Sequence, residues 1–418
     1  MAVSNLALSC SPTQPGGSSE KIELVIWKPF EDEANLRPIF EAYTKLHPNV
    51  TFRYEQKDIV TYESDLLNAL AAGAGPDVFS IHNDWLPKYK DKISPAPSNL
   101  FSTREFSDTF ADVIGEELVD PDGKLYALPL ALDVLALYYN RDLLGSAGIA
   151  TPPRTWAEVV DDVKKLTRQD RLGNFEINGI ALGTTTNINR ATDVLSLLML
   201  QNGTAVYNSS RTNASLNREV ADASGTRYSP GVQALDFYTQ FSNPAKETYT
   251  WNAKNNQSVD AFTSGQLAMM LSYSYMKSVV LSKAPLLNFG IAPVPQIDLN
   301  KPKVNFANYY AEAVSKGSPH AAVAWDFLKF ATTAESLKSY YSLHKQAAVR
   351  KDIISEQISD ADIGVFAEGA LTAKTFYKPD VPAVEGILAR MIDDVVLRNK
   401  STQQAVSTAN QLLDDLTR

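Results

Sequence analysis

The strongest constraint on this chain is an ordered alternation near its start. Apolar residues run almost unbroken over 22–27, recur at helical spacing at Leu36, Ile39, Phe40, Tyr43 and Leu46, and alternate over 50–54. They recur again at Leu66, Leu67 and Leu70 and close up over 77–81. Near-continuous apolar runs suit strands covered on both faces, and strands separated by helices rejoin one sheet through right-handed crossovers. The stretch therefore predicts a parallel, doubly wound α/β layer. The turn Gly73-Ala-Gly75-Pro76-Asp77 leads into a strand instead of opening a helix, and neither a Walker pattern nor a full GxGxxG is present, which excludes a nucleotide loop.

With 418 residues the chain outgrows a single hydrophobic core, so two domains are expected. Residues 124–139 read as two short strands around Pro129, and the character changes after them. Helices are expected over 155–166, 191–201, 230–241 and 258–263, and strands over 177–182, 267–273 and 288–294. The Pro-rich stretch 293–302 reads as a second crossing between domains, followed by helices over 319–332, 334–343, 355–370, 383–399 and 401–416.

Charge and cysteine usage narrow the function classes. Forty-eight acids against 39 bases give a net charge of −9 spread along the length, which argues against nucleic acid or an anionic membrane surface as partner. No stretch approaches the roughly 18 apolar residues that span a bilayer. The single Cys, Cys10, excludes an internal disulfide. Ala2, Val3, Leu6, Ala7, Leu8 and Ser9 precede it and a Ser-, Pro- and Gly-rich tract over 11–19 follows, an order that resembles the end of a bacterial lipoprotein signal, with Ala7 where Leu is usual. Cys10 is accordingly expected to carry a lipid, holding an extracytoplasmic protein to the membrane by that anchor alone. The four His, at 47, 82, 320 and 344, show no ligand-pair spacing, so neither a metal nor another cofactor is expected.

A series of segments resembles one family, the extracellular solute-binding proteins of ABC importers, in the branch that includes maltose-binding protein. They are Ile22-Glu-Leu-Val-Ile-Trp27, then Ala72-Gly-Ala-Gly-Pro-Asp-Val-Phe79 running into His82-Asn-Asp-Trp85, then Gly123-Lys-Leu-Tyr-Ala-Leu-Pro129. Leu137-Tyr-Tyr-Asn-Arg-Asp-Leu143, Pro153-Arg-Thr-Trp156, Phe262-Thr-Ser-Gly-Gln-Leu-Ala-Met-Met270 and residues 321–328 follow in the family's order. The resemblance implies two doubly wound α/β lobes of the type II periplasmic-binding-protein kind, joined by a hinge of crossing strands. The expected division is 1–20 as signal remnant and tether, 21–130 with 295–343 as the first lobe, and 131–294 with 344–418 as the second. It implies a monomer, a small polar ligand, carbohydrate above all, held between the lobes, and a membrane permease as partner.

A sugar presents hydroxyls and a C–H face on each ring, so its receptor needs carboxylates, Asn or Thr together with flat aromatic rings. Loops at strand ends supply them: Asn83, Asp84 and Trp85; Asp133; Tyr273 and Tyr275; Asn308, Tyr309 and Tyr310. By the resemblance, Asp84, Asp133 and Tyr275 fall where the family places two acidic contacts and a stacking ring, and Tyr377 stands nearest a further aromatic position. Trp27 reads as core or cleft, and Glu31 as helix cap or cleft residue. Thr184 and Asn187 follow from the same strand-end logic, whereas Asp77 reads as a structural turn residue. The rival reading is a glycan hydrolase, since paired carboxylates such as Asp84 and Asp133 also serve glycosidases. A third is the same receptor fold holding a polar solute other than sugar.

Overall fold

The computed structural model describes residues 20–222 and 224–417, so Cys10 and its flanks lie outside the described residues. The first sheet has the strand order Val50–Gln56, Ile22–Lys28, Val78–His82, Tyr310–Val314, Ala127–Leu128. Its first three strands are parallel, with Ile22 opposite Val50 and Ile26 opposite Val78. Helix Glu33–Leu46 begins where Asp32 accepts the Ala34 amide at 2.8 Å, and it buries Leu36, Ile39, Phe40 and Tyr43 on the spacing read from the sequence.

The second sheet runs Phe289–Ala292, Ala136–Asn140, Leu267–Ser272, Phe175–Ile180, Arg168–Gln169. Every residue of its central strand Leu267–Ser272 is buried, as expected of a strand covered on both faces. Both sheets are mixed, not wholly parallel. Tyr310–Val314 arrives from the other lobe and enters the first sheet from the opposite end, antiparallel to Val78–His82 and to Ala127–Leu128. Ala136–Asn140 does the same in the second sheet, against Leu267–Ser272.

The crossing segments lie side by side. Val134 bridges Ala307 and Leu132 bridges Ala347; the Asn308 amide donates to the Asp133 carbonyl at 2.9 Å; Asn305–Phe306 pairs with Ala373–Lys374. Gly369 sits against them, and a Cβ there would stand 2.5 Å from Asn305 Nδ2 and 2.8 Å from Val134 Cγ2. Helix Gly364–Ala370, which carries Gly369 in its last turn, thus reaches the hinge only without a side chain at that position.

Two expected boundaries shift. The second crossing lies at 305–310, about ten residues beyond Pro295, because Gln296 ties the Pro-rich loop into the second lobe. Its carbonyl accepts the Trp156 amide at 3.1 Å, and its side chain accepts the Val304 amide at 2.9 Å. Residues 344–357 pack on the first lobe, where the Ala111 amide donates to the Val349 carbonyl at 2.9 Å and helix Lys351–Gln357 meets helix Thr103–Thr109. Helices Val381–Val396 and Thr402–Asp415 pack on each other and against Pro230–Thr239 of the second lobe. Among the described residues no helix is long and apolar enough to cross a membrane.

Candidate functional site

The C-terminal ends of the parallel strands of both lobes open onto one cavity of about 680 Å³, the position where open α/β sheets hold ligands. Its first-lobe wall carries Lys28, Phe30, Glu31, His82, Trp85, Tyr310 and Glu312; its second-lobe wall carries Arg190, Tyr273, Tyr275 and Glu385; Asp133 and Asn308 come from the crossings.

The aromatic rings are held in place by one another. Trp85 stacks on Tyr89 at 5.6 Å and 14°, and meets Tyr310 edge-on at 6.1 Å. Phe30 also packs edge-on against Tyr310, at 5.0 Å, and keeps 58% of its surface exposed. From the opposite lobe Tyr275 presents a ring that is 48% exposed, backed by the buried Tyr273. Large apolar rings left open on both walls of a cavity are candidates for contact with a ligand ring.

The charges are paired. Lys28, buried at the end of the first strand, sits 2.9 Å from Glu31 and bonds Glu312, whose other oxygen accepts from Ser80 Oγ at 2.8 Å. Burial alone would depress the Lys28 pKa, but the two carboxylates raise it and keep the ammonium charged. Asp84 is held between His82 Nδ1, 2.5 Å from its Oδ1, and Lys378 Nζ, 2.9 Å from its Oδ2. Burial would raise the Asp84 pKa, yet His82 and Lys378 hold it well below the usual carboxylate range. His82 Nε2 faces Asn308 Oδ1 at 3.0 Å, so both ring nitrogens meet acceptors. Burial disfavours its charged form, but Asp84 outweighs that and lifts the His82 pKa. Asp133 accepts the Ser274 amide at 3.0 Å, Ser274 Oγ at 2.8 Å and the Val134 amide at 2.9 Å, while burial pushes its carboxyl up to about 7. Arg190 Nε lies 2.7 Å from Asp193, which also accepts from the Tyr273 hydroxyl at 2.6 Å. A cleft whose charges are already matched favours an uncharged polar guest over an ion.

The sequence pattern of the bacterial extracellular solute-binding proteins matches residues 27–338. The chain belongs to that family. A chain of Brucella abortus (strain 2308), named only as a binding protein, is 26% identical over 278 residues, covering 63% of this chain and 61% of its own length. This solute-binding protein therefore spans less than two thirds of that relative. The maltotriose-binding protein of Pyrococcus abyssi is 23% identical across 90% of this chain and 77% of its own. The cyclic alpha-maltosyl-1,6-maltose binding protein of Arthrobacter globiformis shares the fold at a TM-score of 0.78, with 17% identity over 94% of this chain and 98% of its own.

In this family member the cleft gathers eight of the residues expected from sequence: Glu31, Trp85, Asp133, Tyr273, Tyr275, Asn308, Tyr309 and Tyr310. Asn83, Asp84 and Tyr377 line a second cavity of about 460 Å³ instead. Trp27, Thr184 and Asn187 line neither of these cavities. The Trp27 ring lies under Lys57, whose Nζ is 3.7 Å from the ring centroid. Thr184 Oγ1 donates to Asn187 Oδ1 at 2.5 Å, and Asn187 also accepts from Trp251 Nε1 at 3.1 Å and donates to the Asn252 carbonyl at 2.9 Å. Those two hold a buried loop. Asp77 is the structural residue expected, accepting the Val25 amide at 2.9 Å.

The reading from sequence missed Lys28, Phe30, His82, Arg190, Glu312 and Glu385 at the cleft. Phe30 was within reach of strand-end logic, since it follows the first strand by two residues. Arg190 has a backbone φ of 59°, a left-handed conformation costly for a side chain of its size and invisible in sequence.

Proposed function

We propose that this protein is an extracytoplasmic receptor that encloses a mono- or oligosaccharide between its lobes and delivers it to the permease of an ABC importer. The observation that carries the reading is the pair of aromatic walls, Phe30, Trp85 and Tyr310 against Tyr275, around a cavity of about 680 Å³. That volume lies within the ~300–1,000 Å³ typical of small-molecule sites. Aromatic faces match the C–H faces of a pyranose, and Asp133, Asn308, Glu31 and Arg190 offer its hydroxyls acceptors and donors. The oligosaccharides for which the relatives above are named agree with this chemistry.

The hydrolase reading is weaker on the same geometry. Asp84 is fixed as a carboxylate by Lys378 and His82 and cannot serve as the acid, and it lines the second cavity while Asp133 lines the cleft, so the two carboxylates do not face one bond. In our reading Cys10 bears the lipid anchor, which mass spectrometry of the membrane fraction tests by the diacylglyceryl adduct.

A thermal-shift panel of mono- and oligosaccharides tests the receptor. A ligand at a hundred times its Kd adds about 2.7 kcal/mol to stability. Small-angle scattering with that ligand is expected to show a smaller radius of gyration as the lobes rotate together. Recovery of the sugar intact supports a receptor, and recovery of cleaved sugar overturns it.

A further inference from the structure

The space between the lobes has two compartments with a wall between them. The cleft already described ends at His82, Arg190 and Asn308. The second cavity, about 460 Å³, lies between first-lobe residues Asn83, Leu86 and Glu116 and second-lobe residues Arg211 and Tyr377. The constriction joining them shares His82, Arg190 and Asn308 with the cleft and Asp84, Phe376 and Lys378 with the second cavity. It leaves no room for a water molecule.

Lys378 is the removable part of that wall. It is 5% exposed, and its Nζ lies 2.9 Å from Asp84 of the opposite lobe and 3.3 Å from Glu385. His82 and Asn308 back Asp84 from the hinge side, so the ammonium closes the gap at the end of a fixed chain of polar groups. Beyond the wall the second cavity has the materials of a saccharide site. The Arg211 guanidinium lies 4.7 Å from the Tyr377 ring, and among the described residues its donors meet no protein acceptor. Arg211 holds a left-handed backbone at φ 60°, strain of the kind kept at functional positions.

We propose that Lys378 determines ligand length: it ends the saccharide site at the first compartment, restricting this receptor to short chains, while the second compartment is a walled-off continuation. This rests on the sugar reading above. The four-carbon stem and its ion pair fill the passage, and the neighbours fixed by Asp84 cannot move aside without breaking a buried pair. Bulk, not charge alone, makes the wall.

The test is calorimetric titration of the wild type, Lys378→Ala and Lys378→Met with two homologous ladders, glucose to maltohexaose and mannose to mannohexaose. Wild-type affinity is expected to stop rising at a short chain. Lys378→Ala is expected to keep gaining with length, by about tenfold over wild type for the longest chains. Lys378→Met, which keeps the stem, retains the short cut-off, and adding Tyr377→Ala to Lys378→Ala removes the gain. A wild-type affinity that climbs steadily to the hexaose overturns the proposal with no substitution needed. So does a folded Lys378→Ala with the wild-type profile, or a Lys378→Met that gains with length as Lys378→Ala does. Wild type that binds no member of either ladder overturns the saccharide reading for these sugars and the proposal with it.

Discussion

Tyr273 and Tyr275 stack with ring centroids 6.3 Å apart and planes 23° from parallel, yet one is 1% exposed and the other 48%. The buried ring is bonded through its hydroxyl to Asp193, and the open ring rests on it as on a platform. The two substitutions should therefore separate. Tyr275→Ala is expected to leave stability near wild type and, on the proposed function, to weaken binding of the saccharide found by the thermal-shift panel by about 2–4 kcal/mol, as for an aromatic hot spot. Tyr273→Phe leaves the ring in place but strips a partner from buried Asp193, lowering stability by about 1–3 kcal/mol. Calorimetry and chemical denaturation on both variants distinguish these outcomes.

Lys28 is expected to matter more to the fold than to the ligand. Lys28→Met leaves Glu312 buried without its cation, and one-sided removal of a buried pair costs about 3–5 kcal/mol. Urea denaturation reads the loss directly, and a variant as stable as wild type would show that Glu312 finds another partner.

The correction at Thr184 and Asn187 has its own test. Asn187→Ala unpairs Trp251 Nε1 and the Asn252 carbonyl, so stability should fall by about 1–3 kcal/mol while the affinity of the folded protein stays at the wild-type value. Weakened binding with unchanged stability would return Asn187 to the site.

Asp133 gives a pH dependence with a definite sign. Its carboxyl sits at about 7 in the folded protein against an ordinary 3.8, so between these values the folded state holds a proton that the unfolded state has lost. Stability contributed by this group is present at low pH and falls as pH rises from about 4 to about 7. Asp133→Asn removes that limb, so the stability of wild type minus that of the variant should decline across the window and flatten above it. Asp84 behaves in the opposite sense. Its depressed pKa contributes stability above pH about 4 that is lost on acidification, and because Asp84 also lifts the His82 pKa, subtracting Asp84→Asn changes the acid end together with a second limb in which stability held by His82 falls as pH rises above about 6.5. Denaturation curves at a series of pH values resolve the two.

How far the sequence could be read follows from the range of each signal. The helix Glu33–Leu46 and the strands around it announce themselves through local period, and so does the buried strand Leu267–Ser272. The first crossing near Leu130 is equally local. The second was placed early because prolines at 293–302 suggest a linker, while the contacts of Gln296 that bind this loop to the second lobe are long-range. The site divides the same way. Trp85, Asp133 and Tyr275 follow strand ends and were legible as such. Lys28 and Glu312 are 284 residues apart, and nothing local marks them as partners. Side-chain direction was illegible too: Asn187 follows a strand as Tyr275 does, but turns inward to Trp251.

The return strand Tyr310–Val314 also sets the order in which the chain can become a protein. Among the described residues it alone joins Val78–His82 to Ala127–Leu128, so the first lobe's sheet stays split until a segment some 230 residues beyond Val78–His82 arrives. A nascent chain that has already produced every residue of 22–128 still exposes the edge of Val78–His82. Pairing across so long a separation in sequence slows folding, and the first lobe's sheet cannot be completed before residues 310–314 have been made.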